Sequence, residues 1–178
     1  PFLLTAPDLD TAKQVVDRAV AAAAAVPDGV FCLFGTGDPA RNVRHRTYPF
    51  VVRQFALFGL QDRVVAHPGH SPPPPGPILG YLNGTPIIPS NVAEAAFAPG
   101  AIADHLTSCA GILPDSCYGQ STTWDWLRLG ATATYGTVTE PCAFREKFPD
   151  PLVFFWYARG FTAGEALAMA VRNPYQGI

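Results

Sequence analysis

Apolar positions along the chain recur with two different spacings, and the alternation between those spacings predicts its architecture. After Asp8, the residues Ala12, Val15, Val16, Ala19, Val20 and Ala23 return at helical intervals, with Lys13, Gln14, Asp17 and Arg18 on the opposite side. Asp8 or Asp10 suits the cap of this helix, accepting from free backbone amides, and Pro27-Asp28-Gly29 stops it. Short apolar runs read as strands at Phe2–Thr5, Val30–Phe34, Val64–Ala66, Ile78–Leu82, around Ala101–Ala103 and at Ala131–Val138. Asn83-Gly84 signals a turn after the fourth of these.

Helical segments fall between the runs. Tyr48–Leu60 is rich in aromatic residues and carries Pro49 in its first turn. Gln120–Leu129 turns Trp124, Leu127 and Trp126 inward, and Gly130 closes it. Asp150 caps a helix from Pro151 that Gly160 ends, and Thr162 with Glu165 forms a capping box for Ala163–Arg172. Strand and helix alternate throughout. The expectation is one α/β domain over residues 1–178, Rossmann-like and layered, with a mainly parallel sheet flanked by helices.

Composition narrows the function classes. A chain of 178 residues that is 48% hydrophobic buries a substantial core. Its 19 prolines imply rigid loops, above all Ser71–Pro77, which reads as an exposed polyproline-like segment. The net charge is −2, lysine occurs only at Lys13 and Lys147, and no basic run exists, which argues against a nucleic-acid partner. No apolar stretch reaches the roughly 18–20 residues needed to span a bilayer. Pro1 is not an initiator residue and Asn173–Ile178 reads as the approach to another element, so the chain is expected to be part of a longer one.

The candidate chemistry concentrates in Ala101–Cys142. Apolar residues lead into Asp104-His105-Leu106-Thr107-Ser108-Cys109 and the small pair Ala110-Gly111, and a second strand leads into Glu140-Pro141-Cys142. The carboxyl ends of strands are where α/β sheets place ligands and chemistry. The four cysteines, Cys32, Cys109, Cys117 and Cys142, lack zinc-site spacing, and the sequence leaves open a Cys109–Cys117 disulfide or four buried thiols. Gly35-Thr36-Gly37-Asp38 lacks the further glycine of a phosphate loop and reads as a tight turn. Arg41–Arg46 is a small basic cluster read as a solvated helix approach. His67 and His70 have no carboxylate or cysteine beside them, and no metal or cofactor is expected.

GAIADHLTS, TWDWL, GATATYGTVTEPC, KFPDPLV and the late GEA and NPYQG resemble the C-terminal half of an uncharacterised family of long, exported bacterial proteins. More distantly, the order of parts is similar to gingipain- and caspase-like cysteine peptidases. In those, one strand ends in a His-Gly pair and the next ends in a nucleophilic cysteine followed by small residues. Ser108-Cys109-Ala110-Gly111 lies at the nucleophile position, and Gly130-Ala131 and Gly164-Glu165-Ala166 match later parts. The His-Gly position carries Asn83-Gly84.

A cysteine nucleophile must ionise, and asparagine cannot take its proton. The resemblance therefore implies a caspase/gingipain-like scaffold, periplasmic or extracellular, acting as a non-catalytic binding or structural component with a protein partner or in self-assembly. The alternative is a thiol-dependent hydrolase. Cys109 is then the nucleophile, His105, His67 or His70 the base, and Asp104 and Glu140 orient the base. His105 lies four residues before Cys109, roughly 13 Å along an extended strand.

Overall fold

The computed structural model describes residues 3–24, 27–115, 117–173 and 177–178. Five parallel strands form one sheet: β1 (Val30–Phe34), β2 (Val64–His67), β3 (Ile78–Gly84), β4 (Phe97–Leu106) and β5 (Ala133–Thr134). Their spatial order is β2-β1-β3-β4-β5. The helices are α1 (Leu9–Ala24), α2 (Tyr48–Leu57), α3 (Thr123–Arg128), α4 (Leu152–Ala158) and α5 (Ala163–Ala170). The expected Rossmann-like α/β layering with a parallel sheet is what the chain adopts.

Side-chain alternation along the central strands sorts the core into two layers. Phe31 and Leu33 of β1, Leu82 of β3 and Ile102 of β4 meet α2, α4 and α5, through residues such as Phe55, Phe154 and Leu167. Cys32, Phe34, Tyr81 and Ala103 meet Trp126 of α3 and Val92 of the β3–β4 connection on the other face. Burying large apolar side chains contributes about 1.5–3 kcal/mol each, which is why the central strands read as nearly unbroken apolar runs.

Several expected boundaries shift. Leu3–Thr5 is not a strand, and Phe2 lies outside the described residues. Asp8, not Asp10, caps α1: its Oδ1 accepts from the Thr11 amide at 2.7 Å. Asn83-Gly84 belongs to β3 itself, because a Cβ on Gly84 would overlap the Arg41 carbonyl and only glycine admits that approach. The strand expected over Ala131–Val138 contracts to Ala133–Thr134, with an isolated antiparallel bridge from Thr137 to Gly177.

The proline-rich segment has a topological task. It leaves β2 at the carboxyl edge and delivers β3 at the amino edge. Its first carbonyl, from Pro68, lies against Gly35 at the end of β1, and its last, from Pro77, accepts from the Val30 amide at 3.0 Å. Ten residues of extended polyproline reach roughly 30 Å, enough to replace a crossover helix, and prolines bring no amide that needs a partner. Pro72, Pro75, Gly76 and Pro77 are exposed and Ser71, Pro73 and Pro74 half-buried, as expected of an exposed polyproline-like segment.

Candidate functional site

Because all strands are parallel, every carboxyl end lies at one edge. The order β2-β1-β3-β4-β5 reverses direction between β1 and β3, and such a switch point opens a crevice in which ligands bind. Here the chain fills that crevice itself. Gly35 ends β1 and Gly84 ends β3, and each admits a backbone carbonyl, from Pro68 and from Arg41 respectively. The turn Gly35–Asp38 is held locally, with Asn42 Oδ1 accepting from the Thr36 amide and Asp38 Oδ1 from the Ala40 amide.

Arg44 enters from this loop and is 1% exposed. Its guanidinium donates to the Asp104 carboxylate, to the Asn83 carbonyl at 2.7 Å and to the Pro149 carbonyl at 3.4 Å. The basic cluster is thus not simply a solvated approach. Its central arginine pairs with an internal carboxylate 60 residues away, at the switch point. Arg41 stays nearer the surface, paired with Asp38 and donating from Nε to Thr107 Oγ1 at 3.4 Å.

The four residues assigned to catalysis do not converge. Asp104 and His105 are consecutive on β4, so the pleat sends them to opposite faces. Asp104 faces Arg44, and its second oxygen, Oδ1, has no partner among the described residues. His105 faces Trp126. The indole Nε1–H can only donate, so His105 Nδ1 accepts at 2.7 Å and Nε2–H donates to the Ser121 carbonyl at 3.1 Å. Burial pushes the imidazole down to about 4, so it is neutral with both nitrogens occupied. Both of its ring nitrogens are engaged inside the fold, by Trp126 and by Ser121.

Cys109 is joined to Cys117 in a disulfide with the two Cα atoms 5.7 Å apart, so its sulfur is not a resting thiolate. Closing this short loop contributes about 2–3 kcal/mol through chain entropy. Cys32 is free but buried, its thiol pushed up to about 12 by desolvation, and Cys142 is free and exposed. Glu140 is exposed and accepts from the Cys142 amide at 2.8 Å, so it orients no histidine. His67 ends the edge strand β2, three strand positions or roughly 14 Å from β4. His70 is exposed in the segment that follows, so neither replaces His105 as the base.

An open cleft of about 290 Å³ remains at the carboxyl edge, lined by Arg41, Thr107, Ser108, Glu140, Cys142 and Phe148 among others. Gln120 Oε1 fixes its floor by accepting from Thr107 Oγ1 at 2.8 Å and the Ser108 amide at 3.0 Å. Thr137 Oγ1 donates to the Ser108 carbonyl at 2.6 Å. Cys142 and Ala143 on its rim both take φ of 54°, a left-handed conformation that non-glycine residues hold only where their surroundings enforce it. Thr107, Gln120 and Thr137 gave no sequence signal, since a lone polar residue shows its role only once its partner is placed. No group of three metal-ligating side chains occurs among the described residues. No protein-family model, curated protein or solved structure matches the chain.

Proposed function

We propose that this chain is a non-catalytic binding or structural domain of a bacterial extracytoplasmic assembly, built on a caspase- and gingipain-related scaffold. One observation carries the non-catalytic reading: Cys109, His105 and Asp104, the three groups that β4 and the residues just after it would bring to a thiol hydrolase, are each held by a structural partner. The Cys109 sulfur is in a disulfide, both His105 nitrogens are hydrogen-bonded, and Asp104 is paired with Arg44. The scaffold relation is supported by adjacency. Asn83-Gly84 ends β3, Ser108–Gly111 follows its neighbour β4, and Asn83 lies beside His105 in register. An oxidising compartment is supported by the disulfide, which reducing cytosol disfavours.

The test is to assay the purified chain against peptide and ester substrates with and without dithiothreitol, beside Cys109→Ala and with mass-spectrometric mapping of thiols. The expected result is no turnover in either condition. Cys142 alkylates in the native protein, Cys109 and Cys117 only after reduction, and Cys32 only on unfolding. Turnover that needs reductant and vanishes in Cys109→Ala would overturn the proposal in favour of the thiol hydrolase.

A further inference from the structure

The carboxylates of this chain leave two helices bare. No Asp or Glu occurs from Pro39 to Gln61, nor from Pro151 to Gly164, so α2 and α4 carry none. From the single 3-10 turn His45–Thr47 that leads into α2 and along the outer side of α2, Arg46, Phe50, Arg53 and Leu57 follow at intervals of four, three and four, the spacing of one helical stripe roughly 16 Å long. All four are exposed, Phe50 by 52% and Leu57 by 65%. Neither Arg46 nor Arg53 has an ionic or hydrogen-bonded partner among the described residues. A surface that alternates bare guanidinium and bare apolar groups suits a partner that alternates carboxylate and apolar groups.

The chain displays such a partner on α1. The sequence predicts Val16 and Val20 on the core side of this helix, but only Thr11 and Val15 are buried. Leu9 is 68% and Val16 44% exposed, and Val20 lies open beyond them. Exposed Asp10 and Asp17 flank the stripe. Leu9 and Val16 are seven residues apart, as are Asp10 and Asp17. The same interval separates Phe50 from Leu57 on α2, and Arg46 in the turn before α2 from Arg53. The two stripes share one repeat with opposite charge. Lys13 lies within the α1 stripe, 3.9 Å from Asp10, and offsets part of that charge, whereas Arg18 turns inward to donate to the Leu127 and Ala131 carbonyls, so among the described residues Asp17 stays unpaired and the flank keeps a net negative charge.

We infer that α1 of one molecule docks on α2 of a second copy, apolar stripe on apolar stripe, with Asp10 and Asp17 meeting Arg53 and Arg46. The inference rests on the structural reading proposed above and names its partner: another molecule of the same chain. Within one molecule α1 packs on β4 and α3, whereas α2 packs on β2 and α4 toward the other end of the sheet. The contact is therefore head to tail and leaves each pair one free face of each kind, so the assembly grows. Two short helices bury less than the roughly 1,200 Å² of stable complexes, so the contact belongs to the weak, concentration-dependent class.

The test is sedimentation velocity of the whole chain from roughly 10 μM to 1 mM, a range suited to weak association. The wild type gains mass with concentration, and raising salt to about 0.5 M reverses the gain by screening. Leu9→Ser/Val16→Ser and Phe50→Ser/Leu57→Ser each weaken association at least about tenfold. All four positions are exposed, so circular dichroism of the variants stays native. Mixed together, the two variants form pairs and nothing larger, since one intact face of each kind remains. A monomer throughout the range, or variants that associate as the wild type does, overturns the inference. So does a monomer that sediments with phosphatidylglycerol vesicles in a manner dependent on Arg46 and Arg53, because the face is then lipid-directed. Turnover of substrate would instead defeat the non-catalytic reading, a separate readout.

Discussion

Asp104 and His105 adjoin in the chain and face opposite layers of the molecule, so the structure does not bring them together. The pleat settled this, with no contribution from residue chemistry. Asp104 instead belongs with Arg44. Removing one charge from a buried pair leaves the other uncompensated, at a cost of about 3–5 kcal/mol. Asp104→Asn is therefore expected to lose stability of that order in urea unfolding, while Arg44→Met/Asp104→Leu recovers much of it. A loss below about 1 kcal/mol in Asp104→Asn would show that the pair is not formed in solution. The basic cluster was visible in the sequence. Its partner was not, because 60 residues and two whole strands separate them along the chain.

At the scale of elements, helix ends were the most legible features. Thr162 and Glu165 form the capping box that their spacing announced, with the Glu165 amide donating to Thr162 Oγ1 at 3.2 Å and the Thr162 amide to Glu165 at 2.9 Å. These contacts span three residues, so the sequence holds both partners. Strand ends were harder. Asn83-Gly84 has the composition of a turn, yet it is ladder-paired with His105 and Leu106 because the β1–α2 loop packs over Gly84. Gly84→Ala is expected to cost more than about 2 kcal/mol, since the added methyl meets an immovable carbonyl. Gly37→Ala, in the same loop region but with no atom within 4 Å of the new Cβ, is expected to fall within about 0.5 kcal/mol of wild type. Equal thermal midpoints for the two variants would contradict the packing at the switch point.

At the scale of the molecule, the buried histidine governs mild-acid stability. Its folded pKa, about 4, lies below the ordinary 6.5, so between these values the unfolded chain binds a proton that the native protein refuses. Stability is complete above pH 6.5 and falls as pH drops toward 4, by a total on the order of 3 kcal/mol. Urea midpoints measured from pH 7.5 to 4.5 should fall less steeply in His105→Gln, and parallel lines would refute this account. Asp8, Asp38 and Glu165 are held below their ordinary values, by the Thr11 amide, the Arg41 side chain and the Thr162 amide respectively. Their contributions are lost only at still lower pH.

Periodicity, capping and punctuation act over a few residues, so the sequence by itself determined the alternation of strands and helices, the parallel sheet and most helix limits. It also placed the candidate chemistry at the strand ends, and it admitted the Cys109–Cys117 link without choosing it. Only the tertiary structure decided which cysteines pair and that His105 is enclosed by Trp126 and Ser121. It alone showed that Arg44 fills the crevice at the switch point and that most of the α1 apolar stripe stays uncovered. Those outcomes depend on where distant segments meet and which side each strand presents, and neither is written in any local spacing.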